Sequence, residues 1–252
     1  MRTARLLGPV VFLWVAVAAL PAAADRTEVW RAIYPLKAGG TVAVANVQGS
    51  IQVEGWDRPD VALAAFKTTA GDEARMTDVE IAVEQGPDGL RVRTLYHGGG
   101  REPVEVHYRL RVPRGTRLEE LTTVNGNIQV RNLRGPVDAR TLNGDIETVG
   151  VAGSVHARCL NGNVSVALRA LPASQAELEL ETVNGDIILL LPARTRAALE
   201  LRTVAGSIES HLPFDPTVSP VTLAAAQDRA GVPVRLNTVR GNIRVAEAKG
   251  WF

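Results

Sequence analysis

The sequence predicts an all-β fold, a parallel β-helix (a solenoid) with a less regular β region on its N-terminal side. Three observations support this: a turn motif that recurs, period-two alternation of apolar residues before each copy, and a scarcity of aromatic residues. Aromatic residues make up 4% of the 252-residue chain, and its apolar content comes mainly from Val, Leu, Ala and Ile. Valine-rich sequence with many glycines favours stacked strands over an aromatic-centred sandwich.

The recurring motif is Asn-Gly, followed by Asn or Asp and then by Ile or Val. Its four full copies start at Asn125-Gly126, Asn143-Gly144, Asn161-Gly162 and Asn184-Gly185. Looser copies centre on Gly49, Gly206 and Gly241. From Gly126 onward the motif glycines are 18, 18, 23, 21 and 35 residues apart. Internal periods of about 20 residues are typical of a solenoid.

A strand is predicted on each side of every copy. Before Gly144, for example, Val137, Ala139 and Thr141 share one parity, and charged residues take the other. Alternation of this kind indicates a strand with one buried face. Asn and Gly both tolerate the positive φ that a corner needs. Asn-Gly is also a strong hairpin signal, but the same corner returns once per unit, which favours winding in one direction over an antiparallel meander.

Stacking would place like residues of successive units side by side, because neighbouring strands lie about 4.8 Å apart. The corner asparagines are predicted to form a ladder of amide side chains. The residues two positions before the asparagines are predicted to form an inward column, in which Cys159 serves as one small buried side chain. The threonines of that column are Thr123, Thr141, Thr182, Thr203 and Thr238.

The chain divides into three parts. Residues 1–24 have the pattern of a secretory signal peptide, with basic Arg2 and Arg5, an apolar run over 6–20 and an Ala-x-Ala site. The run is shorter than the roughly 20 residues that span a bilayer, although an uncleaved N-terminal anchor is the alternative. Residues 25–120 are predicted to form an N-terminal β region, as first rungs or cap of the solenoid. Residues 121–252 carry the repeats, with an inserted loop at about 213–233.

Charge and cysteine content narrow the function classes. The formal net charge is +1, and without Arg2 and Arg5 it becomes about −1, so no basic field invites nucleic acid or anionic lipid. The single cysteine cannot form an internal disulfide. An exported chain of this kind must be held together by its core and its backbone ladders.

Motifs for catalysis or cofactor binding are absent from the sequence. The four histidines are scattered, and there is no nucleophile elbow, P-loop or dinucleotide fingerprint. Asp145 and Asp186 invite comparison with calcium-binding nonapeptide repeats, but the dense glycine pattern of those repeats is missing. We therefore predict no catalytic residue, no cofactor and no metal site.

One outward row is a candidate ligand face. Arg140, Arg158, Glu181 and Arg202 alternate with the inward residues before the corners, and such a row could bind an anionic glycan. A solvated face of mixed charge is the alternative. The outward positions after the corners hold no acidic pair in adjacent units that could act as acid and base.

An ordered set of motifs also supports a family resemblance. Residues 49–57 read Gly-Ser-Ile-Gln-Val-Glu-Gly-Trp-Asp, an alternating strand ends in Arg111-Val112-Pro113-Arg114-Gly115, and the Asn-Gly repeats follow. In this order the motifs resemble the bacterial putative-adhesin domain family, which is largely of unknown function and occurs in exported envelope proteins. The resemblance covers nearly all of the chain after residue 24 and implies a right-handed, single-stranded β-helix. The adhesin name rests on analogy with other β-helical surface proteins.

These features predict an exported bacterial envelope protein, periplasmic or at the cell surface, that acts as a non-catalytic, adhesin-like binding or structural module. The alternative is a carbohydrate-active enzyme, a polysaccharide lyase or hydrolase, on the same scaffold. A cleft with carboxylates clustered along stacked outward columns would favour the enzyme. The expected partner is an envelope glycan or protein, not nucleic acid, and membrane contact is expected only through an uncleaved signal peptide.

Overall fold

The computed structural model describes residues 26–69, 73–97, 104–170, 177–193, 195, 197–211, 217–219, 222–226 and 232–248. Strands dominate these residues, and one short 3-10 helix (Glu73–Asp78) is the only helix among them. The prediction of an all-β fold is confirmed. The signal peptide predicted at 1–24 lies outside the described residues.

The strands of the N-terminal half are β1 (Arg26–Pro35), β2 (Thr41–Ala45), β3 (Ile51–Trp56), β4 (Asp60–Thr69), β5 (Val79–Gln85), β6 (Gly89–Tyr96), β7 (Glu105–Pro113), β8 (Arg117–Asn125) and β9 (Ile128–Arg131). Those that follow are β10 (Val137–Asn143), β11 (Ile146–Val151), β12 (Val155–Asn161), β13 (Val164–Leu168), β14 (Leu178–Asn184), β15 (Ile187–Leu191), β16 (Ala197–Ala205), β17 (Ile208–Ser210), β18 (Thr217–Ser219), β19 (Thr222–Ala226), β20 (Val232–Arg240) and β21 (Ile243–Glu247).

These strands form two sheets. Sheet 1 has the order β1-β4-β7-β3-β9-β11-β13-β15-β21-β17, and sheet 2 has the order β18-β19-β16-β20-β14-β12-β10-β8-β2-β6-β5. From β8 to β15 the chain passes alternately from one sheet to the other, and each strand pairs in parallel with the equivalent strand of the next unit. We call one strand of sheet 2 and the strand of sheet 1 that follows it a rung.

The register of the pairing brings like residues together. Val137 of β10 lies beside Val155 of β12, which lies beside Leu178 of β14. In sheet 1, Ile146 lies beside Val164 in the same way. The inward side chains of both sheets form one hydrophobic core, and most of them are fully buried. Each Val, Leu or Ile removed from water in this way contributes about 1.5–3 kcal/mol of burial free energy.

The order of the rungs departs from the order of the chain at both ends. The rung β2/β3 lies between β6/β7 and β8/β9. At the other end, β20/β21 lies between β14/β15 and β16/β17. The last described segment of the chain therefore fills an interior position, and the corner at Gly206 belongs to the end rung.

Antiparallel strands cover both ends of sheet 2 and the β1 end of sheet 1, whereas β17 at the other end of sheet 1 pairs in parallel with β21. In sheet 1, β4 pairs with β7 and β1 pairs with β4, while in sheet 2 β5 pairs with β6. Part of the segment predicted as a loop at about 213–233 forms a hairpin, because β18 pairs with β19 and β19 pairs with β16. Covering an end in this way protects an edge that could otherwise recruit further strands.

A buried polar cluster lies within the first rungs. The Asn46 amide donates hydrogen bonds to the carbonyl oxygens of Gly49 (3.1 Å) and Val106 (2.8 Å), and its oxygen accepts one from the Thr94 hydroxyl (2.9 Å). The Thr94 hydroxyl also lies 2.7 Å from the hydroxyl of Tyr108, which is fully buried. Because every member has a partner, the cluster satisfies its polar groups inside an apolar core.

One residue in β8 adopts a left-handed backbone conformation. Glu120 has φ of +54°, and one extra residue separates Leu118 from Leu121 relative to the facing residues of β10. This arrangement is a β-bulge, in which a glycine would be the least strained choice.

Candidate ligand-binding surfaces

The corners are held by two kinds of side-chain hydrogen bond. The amide of Asn143 donates to the side-chain oxygen of Asn125 (2.7 Å), and Asn161 and Asn184 each donate to the asparagine of the preceding rung (2.8 Å). The threonine hydroxyls donate instead to glycine carbonyls, as Thr141 does to the oxygen of Gly126 (3.0 Å). These residues are fully engaged in connecting one rung to the next.

Cys159 takes a threonine position in this column. Its Sγ lies 3.1 Å from the carbonyl oxygen of Gly144, and the side chain is buried. Burial raises the pKa of the Cys159 thiol above its ordinary value. A protonated, inward-facing thiol is a poor nucleophile. The packing role of Cys159 in the column is therefore sufficient to explain a cysteine at this position.

The position after each glycine forms a second column, in which a side-chain oxygen accepts the backbone N–H of the next rung. Asn163 N donates to the Asp145 carboxylate in this way (2.7 Å). On the β6/β7 rung the column continues with a histidine, because His107 Nδ1 accepts the backbone N–H of Ser50 (3.2 Å). The Ser50 hydroxyl lies 3.0 Å from the same nitrogen, and Glu105 lies 3.2 Å from Nε2. This Ser-His-Glu chain resembles a hydrolase triad, but His107 Nδ1 already accepts the backbone N–H of Ser50 as a member of the column.

The row predicted as a ligand face lies on the outward side of sheet 2. Arg140, Arg158 and Glu181 are side by side, while Asn237 lies between Glu181 and Arg202 because of the inserted rung. The sequence could not place Asn237 there, since it belongs to the last rung of the chain.

Each arginine of this row contacts a carboxylate of sheet 2 itself. Arg140 lies 2.8 Å from Asp138, and Arg158 lies 3.1 Å from Glu179 and 3.0 Å from Glu181. Arg202 forms an ion pair with Glu200. These pairs are largely exposed and individually weak, but they leave the row with balanced charge.

A groove crosses the outward side of sheet 1 over β1, β4, β7, β3 and β9, and its volume is about 880 Å³. Its floor is low where Ala62 and Ala64 of β4 point outward. Ala62 lies between Ile33 of β1 and Arg111 of β7. Arg31 and Arg109 flank Ala64 in the same way, and the groove continues past Gln52 to Gln129 and Arg131.

The charge of this groove is not balanced. Four arginines and one carboxylate, that of Glu54, line it. Arg111 lies 3.5 Å from Glu54, and Arg131 lies 3.7 Å from Glu147 of β11. The guanidinium of Arg109 lies 5.1 Å from the centre of the Phe66 ring. Arg31 and Arg109 have no carboxylate partner among the described residues. The groove, unlike the row on sheet 2, therefore offers guanidinium groups that are free to bind an anion.

A second depression, of about 620 Å³, lies near the turn after β7 and includes Arg114, Arg134 and Arg169. Asp57 receives two hydrogen bonds from Arg114, at 2.7 and 3.0 Å. This hydrogen bonding lowers the pKa of Asp57 from its ordinary value. Arg114 is thus already paired with a carboxylate.

The groove has few side chains that could act as a general acid or a general base. Glu54 is its one carboxylate, whereas glycosidases use two on either side of the bond they cleave. Within the described ranges no cluster of His, Cys, Asp and Glu could hold a metal ion. No helix of the described chain is long and apolar enough to span a membrane.

The sequence did not point to the groove. Strand β1 was not predicted, although Trp30, Ala32 and Tyr34 alternate with outward residues and were the available signal. Ala62 and Ala64 belong to a strand that the sequence did predict. Their part in the groove follows only from the pairing of that strand with two arginine-bearing strands.

Two parallel-rich sheets joined by stacked glycine corners define an all-β repeat protein. Comparison with known families agrees with this class. The chain belongs to the Toastrack DUF4097 family, whose model matches residues 34–246. No curated protein matches it.

Solved structures are similar to this chain at low sequence identity. A putative cell adhesion protein from Clostridium sporogenes is 12% identical, with 89% of this chain and all of that chain covered and a TM-score of 0.52. A putative adhesin from Bacteroides fragilis is 11% identical, with coverage of 86% and 97% and a TM-score of 0.34. A putative lipid binding protein from Parabacteroides distasonis is 11% identical, with coverage of 88% and 97% and a TM-score of 0.33. The likeness to the Clostridium protein, at 12% identity, is one of fold alone.

Proposed function

We propose that this chain is an exported bacterial envelope protein that acts as a non-catalytic, adhesin-like binding module in the periplasm or at the cell surface. The signal-peptide pattern of residues 1–24 supports export. The observation that carries the binding role is the groove on sheet 1, where Arg31 and Arg109 face solvent without a carboxylate partner among the described residues. The ligand is an anionic component of the envelope.

We further propose that the two sheets form a single right-handed solenoid, with residues 121–252 as its repeats and 25–120 as its first rungs and cap. Crossovers between parallel strands are right-handed in about 98% of known cases, and the single-direction winding of β8 to β15 supports such a path. The solenoid serves as a rigid support that keeps the outward side chains of neighbouring rungs about 4.8 Å apart.

The groove and the predicted row on sheet 2 are distinguished by two matched charge reversals. One variant carries Arg31→Glu and Arg109→Glu in the groove. The other carries Arg140→Glu and Arg202→Glu in the row, with the same change in net charge. Both, with the unaltered protein, are screened against a panel of acidic and neutral envelope glycans and lipids, and their folding is checked by circular dichroism.

We expect the Kd of the groove variant to rise at least about tenfold, because two charge-assisted contacts are removed. The row variant should bind as tightly as the unaltered protein. Loss in the row variant alone would transfer the site to Arg140, Arg158, Glu181 and Arg202. If the unaltered protein binds no member of the panel, the binding role is wrong. Turnover of a bound glycan would favour the carbohydrate-active enzyme instead.

A further inference from the structure

The arrangement of charges in the groove carries information about the shape of its ligand. In one row across the sheet, Arg111, Glu54 and Arg131 lie on the neighbouring strands β7, β3 and β9. In the adjacent row, Arg31 and Arg109 lie on β1 and β7, with Ala64 of β4 between them. Within each row the two arginines are therefore two strands apart, about 9.6 Å between backbones, and Arg131 also lies 3.7 Å from Glu147.

The strands between the arginine-bearing strands, β4 and β3, carry no cationic group in these rows. Ala64 offers a methyl group, Gln52 an uncharged amide, and Glu54 a carboxylate that is more than half exposed. An anion placed over Glu54 would be repelled at a separation of a few Å. Along the row of Arg111, Glu54 and Arg131, the groove therefore attracts negative charge at the arginines and repels it at Glu54.

We propose that the ligand is an acidic polysaccharide that lies across the strands and carries its carboxylates on alternate sugars. This inference rests on the proposed binding function of the groove. In an extended glycan one sugar advances by a length close to the strand spacing, so alternate sugars meet alternate strands. Gln52 and Gln129 supply donors and acceptors for sugar hydroxyls, and the low floor at Ala62 and Ala64 leaves room for the rings.

Within this scheme Glu54 determines specificity. It repels a sugar that carries a charge at the intermediate position, and it holds Arg111 in place through their 3.5 Å contact. A protein discriminates between ligands in this way by placing a repulsive group against the wrong one. A merely basic patch would instead prefer the polymer with the highest charge density.

Hexasaccharides of two polymers test the inference by calorimetry: hyaluronan, with a carboxylate on alternate sugars, and polygalacturonate, with one on every sugar. We expect the Kd of hyaluronan to be lower by about tenfold, equivalent to one well-formed charged contact. Glu54→Gln should bring the two Kd values together, mainly by improving polygalacturonate. Glu209→Gln, which removes an exposed carboxylate from the far end of sheet 1, is the control and should leave the ratio unchanged.

Each remaining outcome separates the two proposals. Tighter binding of polygalacturonate, or a ratio that Glu54→Gln does not change, overturns the alternate-charge inference while the binding role stands. Binding of phosphatidylglycerol vesicles without binding of either glycan also overturns it, since the ligand would then be a lipid. If Arg31→Glu with Arg109→Glu leaves hyaluronan binding intact, the groove is not the site and the alternate-charge inference fails, while the binding role stands at another surface.

Discussion

Replacing the corner glycine Gly162 by alanine tests whether the glycine stack sets the distance between rungs. A Cβ on Gly162 would lie under 3.0 Å from the carbonyl oxygen of Gly144, which is backbone and cannot rotate away. The residue also has φ of +149°, in a region that residues with a Cβ avoid. The two corners must therefore move apart for alanine to fit.

The expected cost follows from the bonds that join these corners. Gly144 N donates to the carbonyl oxygen of Asn161 over 3.0 Å, and Ile146 N donates to that of Asn163 over 2.9 Å. Weakening two backbone hydrogen bonds removes about 1 kcal/mol each, and the strained φ adds about 1–3 kcal/mol. We expect the free energy of unfolding to fall by roughly 3–5 kcal/mol in total.

Urea denaturation followed by circular dichroism measures this loss. The matched control is Gly115→Ala, because a Cβ there has no atom within 4 Å. Its free energy of unfolding should stay within about 1 kcal/mol of the unaltered protein, with any gain due to lower entropy of the unfolded chain. A Gly162→Ala loss no larger than that of Gly115→Ala would refute the close-contact explanation.

Three further changes probe other parts of the fold, each by the same unfolding measurement. Asn143→Ala removes one ladder hydrogen bond to each neighbouring rung and should lower the free energy of unfolding by about 1–2 kcal/mol. An unchanged free energy of unfolding would mean that the amide ladder does not contribute to stability. Glu120→Gly relieves the left-handed backbone of the bulge and should stabilise by about 1 kcal/mol, and a loss instead would show that the bulge is unstrained. Burial raises the pKa of Tyr108 to about 12, against about 10 in an unfolded chain. This difference in pKa therefore contributes its full stability to the native state below pH 10. About 3 kcal/mol of that stability is lost as the pH rises through 12. Tyr108→Phe should start less stable, because the Thr94 hydroxyl loses a partner, and should show a smaller alkaline decline; an equal decline would contradict this assignment.

Local repeats in the sequence were sufficient to anticipate the strands and the residues at their corners. Each unit repeats the same short-range pattern, as in Val155 to Gly162, so alternation and turn chemistry could be recognised without knowing which strands pair. The stacking of Asn125, Asn143 and Asn161 follows from the same offsets.

The order of the rungs could not be read in this way. Ile187 pairs with Ile243, although Ile208 of the intervening segment has the same residue type and the same offset from its corner glycine. Units that are alike enough to stack are alike enough to exchange places, so local pattern does not select the neighbour. The groove was missed for a related reason, since its arginines come from strands that are distant in sequence.

The interior position of residues 232–247 has a consequence for how the protein can form. The bonds that place this rung join residues far apart in the chain, such as Thr238 to Gly185 and Thr203 to Gly241, 53 and 38 residues away. Contacts between distant residues form slowly because a long loop must first close. β17, whose one partner among the described strands is β21, cannot join a sheet until that segment has been synthesised and has entered the stack. The stack of rungs is therefore completed at an interior position. In a ribosome-bound chain that lacks this segment, the place between β14/β15 and β16/β17 would still be empty.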